Sequence, residues 1–138
     1  MLTGPHVILA LKIAVFAVTL LFLCSLVALM RGRYWLHGRI NMAFFSLTVV
    51  ALLGLEVVAR LLDPELFDYF DTDPTLKRRL SLHLCFSLPA AAVMPFMLFT
   101  GLSHRRKYHL ALAVAFSILW TGTFITGIFF LPHSSQQP

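Results

Sequence analysis

Residues 110–131 read LALAVAFSILWTGTFITGIFFL, 22 residues without one formally charged side chain. A helix that crosses a bilayer needs about 20 apolar residues, so this stretch is long enough to cross once. Three earlier stretches resemble it. Residues 7–30 carry a single charge, Lys12. Residues 40–62 carry Glu56 and Arg60 near their end. Residues 80–102 carry no formal charge and one imidazole, His83. Transmembrane barrel strands alternate and run about 9–11 residues, whereas these runs are continuous and roughly twice as long. The expected fold is therefore an all-α integral membrane protein: four transmembrane helices in one antiparallel bundle, a single domain over residues 1–138.

Composition points the same way. Hydrophobic residues make up 59% of the chain and charged residues 12%, about half the share of a soluble domain. A soluble domain this small needs more polar material to cover its surface. That excludes a soluble enzyme, a disordered tail and a nucleic-acid module. Two cysteines, Cys24 and Cys85, are too few for a disulfide framework and are expected at different depths. The first run is longer than a signal-peptide core and lacks a basic leader, so it reads as a spanning helix.

The basic residues explain the pI near 9.8. Residues 31–39 hold Arg31, Arg33 and Arg39, and residues 103–109 hold Arg105, Arg106 and Lys107, with no acid in either loop. Both loops follow odd-numbered helices and so lie on one side. Residues 63–79 hold Asp63, Glu65, Asp68, Asp71 and Asp73 against Lys77, Arg78 and Arg79. Because Lys and Arg set orientation and acids contribute little, the first and third loops are expected in the cytoplasm. Both termini and the acidic second loop are then exoplasmic. Phe67, Tyr69 and Phe70 between the acids would lay the second loop on the membrane surface. No repeat of fixed period is visible in the residues. Gly122 with Thr126 and Thr123 with Gly127 provide small residues at a spacing that lets helices approach closely.

Titratable groups inside a bilayer are costly and mark functional candidates. By helix rise, Glu56 lies about 9 Å, His83 about 5 Å and Thr126 about 8 Å from the exoplasmic ends of their runs. The three share a layer. Glu56 precedes Arg60 by four residues, the favourable order for a helical ion pair. A second group, His37, His104 and His109, sits at helix ends near the other face and could supply ligands to a metal or haem. The candidate metal ligands are thus His83, Glu56, His37, His104 and His109. His83 is too far from His37 and His109 to share an ion with them, so its expected partner is Glu56, or else a ligand on a partner protein. Met94 and Met97 read as core filler more readily than as copper ligands.

His37 with Met42, His83 early in the third run, and His109, Trp120, Thr126 and Gly127 through the fourth carry a resemblance. The pattern His-x10-Trp-x5-Thr-Gly is similar to the last helix of the four-helix bacterial membrane family catalogued as domain of unknown function 420. The resemblance covers roughly residues 31–130. Where that family has a further histidine near the end of the second helix, this chain has Glu56, Ala59 and Arg60. The resemblance implies cofactor-binding roles for His37, His83 and His109 and a place in the bacterial cytoplasmic membrane. It also implies help with haem or copper during maturation of a respiratory cytochrome oxidase, with that larger complex as partner and no nucleic acid. The cofactor itself stays open between haem and copper, and an accessory role is favoured over an enzymatic one. Two other readings remain: a small structural subunit of a larger membrane complex, and a haem- or metal-binding redox protein.

Overall fold

The computed structural model describes residues 4–62, 64–65 and 67–131. Asp63 and both chain ends, on which part of the expected topology rests, lie outside the described residues, as does the side chain of Tyr69. Among the described residues there is no strand. The elements are α1 (Gly4–Met30), α2 (Tyr34–Val57), the short α3 (Tyr69–Thr72), α4 (Pro74–Leu102) and α5 (Arg106–Ile125). Single π-helical turns, Val58–Leu62 and Thr126–Phe130, extend α2 and α5. Four helices are long and apolar enough to cross a membrane: His6–Met30, Tyr34–Leu62, Pro74–Leu102 and Arg106–Phe130.

The helices start earlier than their apolar runs. α2 begins at Tyr34 rather than at residue 40, α4 at Pro74 rather than 80, and α5 at Arg106 rather than 110. Backbone hydrogen bonding continues through polar residues once an end is satisfied, and α4 shows how. Asp73 accepts from Thr75 N at 2.7 Å, an N-cap, and Pro74 at the first position has no donor to lose. The first and third loops shrink to residues 31–33 and 103–105, and Arg39 and Lys107 stand on helices.

These two turns are built alike. Gly32 (φ 69°) and His104 (φ 52°) both adopt the left-handed conformation that ends helices. Arg33 N bonds Ala28 O at 2.9 Å, and Arg105 N bonds Thr100 O at 3.0 Å. His37 N then bonds Arg33 O at 3.0 Å, and His109 N bonds Arg105 O at 2.9 Å. Every paired position is 72 residues apart, as are the starts of α2 and α5 and the ends of α1 and α4. The chain thus contains a structural repeat of two helical hairpins, α1–α2 and α4–α5. It escapes a reading of residue types because few identities survive, among them Arg33/Arg105, His37/His109 and Phe44/Phe116.

Each hairpin packs tightly within itself, and the two hairpins meet more lightly. Their shared core holds Val18, Phe44, Ala90, Met94, Met97, Phe116 and Trp120. The repeat partners Phe44 and Phe116 are fully buried and meet edge to face, 5.8 Å between centroids, a favoured aromatic geometry. Trp120 Nε1 donates to Thr19 Oγ1 at 3.1 Å and ties α5 to α1. Outward, large apolar side chains such as Ile13, Leu20, Val50, Leu53, Phe96 and Ile118 are exposed. Cys24 and Cys85 are free thiols on that outer surface.

Candidate functional site

At the end of the bundle away from the two tight turns, the hairpins part around a cavity of about 490 Å³. All four long helices line it. Lys12, Glu56, Arg60 and His83 supply its ionisable groups, Thr48, Ser87 and Thr123 supply hydroxyls, and Phe67 and Phe70 from the second loop border it. Phe70 is buried, and its ring lies 6.2 Å from that of Phe67. The described aromatics of this loop therefore face inward over the cavity instead of lying on the membrane surface as expected. The reason is local: Asp68 and Asp71 occupy the exposed side, and Asp71 pairs with Lys77 at 3.0 Å.

His83 is held rigidly at the cavity wall. Thr126 Oγ1 donates to Gly122 O at 2.7 Å and so has only lone pairs left for His83 Nδ1, 2.9 Å away. Nδ1 therefore carries the proton. In the neutral ring the lone pair then sits on Nε2. The ring rests on Gly127, where a Cβ would come 3.1 Å from Cε1. One helical turn earlier, Gly122 admits Phe86, whose Cδ1 would lie 2.3 Å from a Cβ there. The glycines of this stretch thus receive α4 side chains, where their spacing predicted a close approach of the helices themselves.

The expected pairing of His83 with Glu56 is not what forms. Both line the cavity, but Glu56 bonds Arg60 on its own helix, and His83 bonds α5. The ion pair is exposed, 58% for Glu56 and 76% for Arg60. Such a pair contributes little to stability and leaves both charges at the cavity mouth. Lys12 Nζ donates to Ile128 O at 2.7 Å, using a carbonyl near a helix end that lacks an onward partner. In the sequence Lys12 is only the single charge of its run, and the π-helical turn that presents the Ile128 carbonyl has no sequence signature.

The other histidines take separate places near the tight turns. Among the described residues no three His, Cys, Asp or Glu side chains gather as a metal site, so His37, His104 and His109 do not converge. His104 is exposed and is the left-handed residue of its turn. His37 Nδ1 donates to Ser25 O at 3.0 Å, and its Nε2 accepts from Asn41 Nδ2 at 3.1 Å. Ser25 Oγ, 2.7 Å from His37 Nδ1, donates to Asn41 Oδ1 at 2.5 Å. With both ring nitrogens engaged, His37 closes its hairpin. His109 Nδ1 donates to Met97 O at 2.9 Å, the repeat of the His37–Ser25 bond. Its ring lies on Gly101, where a Cβ would come 3.0 Å from Cε1. The counterpart of Asn41 in this hairpin is Ala113, so His109 Nε2 keeps its lone pair. Asn41, four residues after His37 on one helix face, was the legible signal for the first network.

No family model, curated protein or solved structure matches the chain.

Proposed function

We propose that the chain is a multi-pass protein of the bacterial cytoplasmic membrane, an antiparallel four-helix bundle that holds a haem-class cofactor between its hairpins. It would act as an accessory factor in maturation of a respiratory oxidase. The observation that carries this is His83: one imidazole, fixed by Thr126 and Gly127, at the wall of a cavity with apolar sides and cations at its mouth. The exposed apolar belt supports the membrane setting, because soluble monomers rarely show large contiguous apolar surface. Six basic residues around the two tight turns support placing that end in the cytoplasm.

The residues fit haem better than copper. The cavity is in the size range of cofactor sites, about 300–1,000 Å³. His83 Nε2 could supply one nitrogen ligand, and Lys12 stands at the mouth, where carboxylate groups would lie. Haem would bring iron-centred redox and ligand chemistry; the chain's residues would bind it, orient it and exclude water. A copper site lacks donors. Met94 lies eleven residues from His83, about 16 Å along α4, and Glu56 is engaged with Arg60. A single protein ligand suits transient holding and transfer more than a resident redox centre, which favours the accessory reading.

The test is cellular. Cells carrying His83→Ala in place of the natural chain should accumulate the protein but lose terminal oxidase activity. Oxidase activity that survives with the variant present at normal level would instead favour a space-filling subunit.

A further inference from the structure

The cavity is much longer than its polar layer. Its lining along α4 runs from Leu80 to Met94, about 21 Å of helix. Lys12, Glu56, Arg60 and His83 all belong to the end nearest the second loop. Toward the middle of the bundle the walls are Val18, Met94, Phe116 and Trp120. Of the lining hydroxyls, Ser87 lies one helical turn below His83, at the foot of the polar layer, and the other two are already used: Thr48 donates to Phe44 O at 2.8 Å and Thr123 to Leu119 O at 2.9 Å. Water needs two to four polar partners, and apolar cavities stay dry. The deep half therefore offers nothing to water and good contact to hydrocarbon.

There is also a route from the side. Leu52 of α2 and Leu84 and Leu88 of α4 line the cavity and are at the same time exposed on the outer surface. The cavity thus opens along the seam between α2 and α4, where the two hairpins meet lightly. Residues at that seam are apolar, so an entering molecule comes from the bilayer interior and not from water.

From this two-part shape we infer that the molecule held here carries one long hydrocarbon chain, drawn laterally from the bilayer between α2 and α4. The chain lies against Phe116 and Trp120, while the polar head stays between Lys12, the Glu56–Arg60 pair and His83. The inference rests on the cavity being a binding site, as proposed above, and narrows the ligand to a tailed amphipath.

Tryptophan fluorescence tests it. The chain has two tryptophans; Trp35 is exposed at 72% beside a tight turn and Trp120 is buried at 6% in the deep half. A Trp35→Phe protein reconstituted in phosphatidylcholine vesicles reports on Trp120 alone. Dibromostearic acid, whose bromines quench on contact, is the probe. The expected result is a saturable loss of Trp120 emission that Ala51→Phe abolishes, because Ala51 lines the cavity from α2. Ala91→Phe narrows it from α4 and carries the same expectation should the first variant not accumulate. Quenching that rises without saturation and is equal in the blocked variants would be bulk lipid collision and would overturn the inference. Haem binding without quenching would remove the tail and leave the proposed function standing. Saturable quenching without haem binding would keep the tailed ligand and remove haem.

Discussion

The imidazole of His83 lies against Gly127, in the space a side chain would need: a Cβ there would stand 3.1 Å from Cε1 and 3.5 Å from Nδ1. The neighbouring Thr126 fixes which ring nitrogen holds the proton. At the opposite end of the same hairpin His109 lies on Gly101 in the reverse sense, an α5 ring on an α4 glycine. The first hairpin has Leu11 and Leu55 where the second has His83 and Gly127. The proposed site therefore sits where the two repeats differ.

Thr126→Val removes the hydroxyl that orients His83 and adds a methyl at a buried position. Losing one such hydrogen bond costs about 1 kcal/mol, so haem affinity should fall about fivefold while the protein still accumulates. Titration of the purified protein, followed by Soret absorbance, reads the change. An unchanged affinity would mean that the ring needs no fixing.

Gly122→Ala places a Cβ 2.3 Å from the Phe86 ring, so Phe86 must leave its place on α5. Overpacking of this kind costs about 1–3 kcal/mol. Gly54→Ala, with nothing within 4 Å of the new Cβ, should change stability by less than about 0.5 kcal/mol. Unfolding by denaturant in detergent separates the two, and Phe86→Ala should restore most of the loss in the Gly122 variant.

His104→Gly should stabilise the fold by about 1 kcal/mol, because a non-glycine residue in the left-handed region costs about that much. The repeat partner Gly32 already has the residue the turn prefers. Thermal melts of the two proteins check it. A lower melting point, with less bound metal, would return His104 to the list of ligands.

Asn41→Leu leaves His37 Nε2 without its donor and Ser25 without its acceptor. The expected loss is about 1–3 kcal/mol of stability, with haem affinity unchanged. Reduced haem affinity at unchanged stability would give His37 the cofactor role that the family resemblance implies.

Much of the fold was legible because lipid imposes a simple rule. Runs of about 20 apolar residues located four helices and placed Glu56, His83 and Thr126 near one level. Their starts were misplaced by three to six residues, since apolarity marks where hydrocarbon would lie and not where backbone bonding begins. The site was legible in part. His83 stood out as an imidazole in an apolar run, and Thr126-Gly127 as small residues at a close helix contact. That the two belong together depends on helix rotation, which an almost uniformly apolar sequence does not encode. The same blindness hid the repeat, whose evidence is two turns and two histidine bonds. The Glu56–Arg60 pair, by contrast, was legible from its spacing of four residues on one helix.

The central claim is that His83, not His37 or His109, is the cofactor ligand. Haem titration of three purified alanine variants, read by Soret absorbance in one detergent, tests it directly. The account predicts that His83→Ala loses the saturable Soret band while His37→Ala and His109→Ala retain it. A His83→Ala protein that binds haem like the unmodified chain would contradict the account.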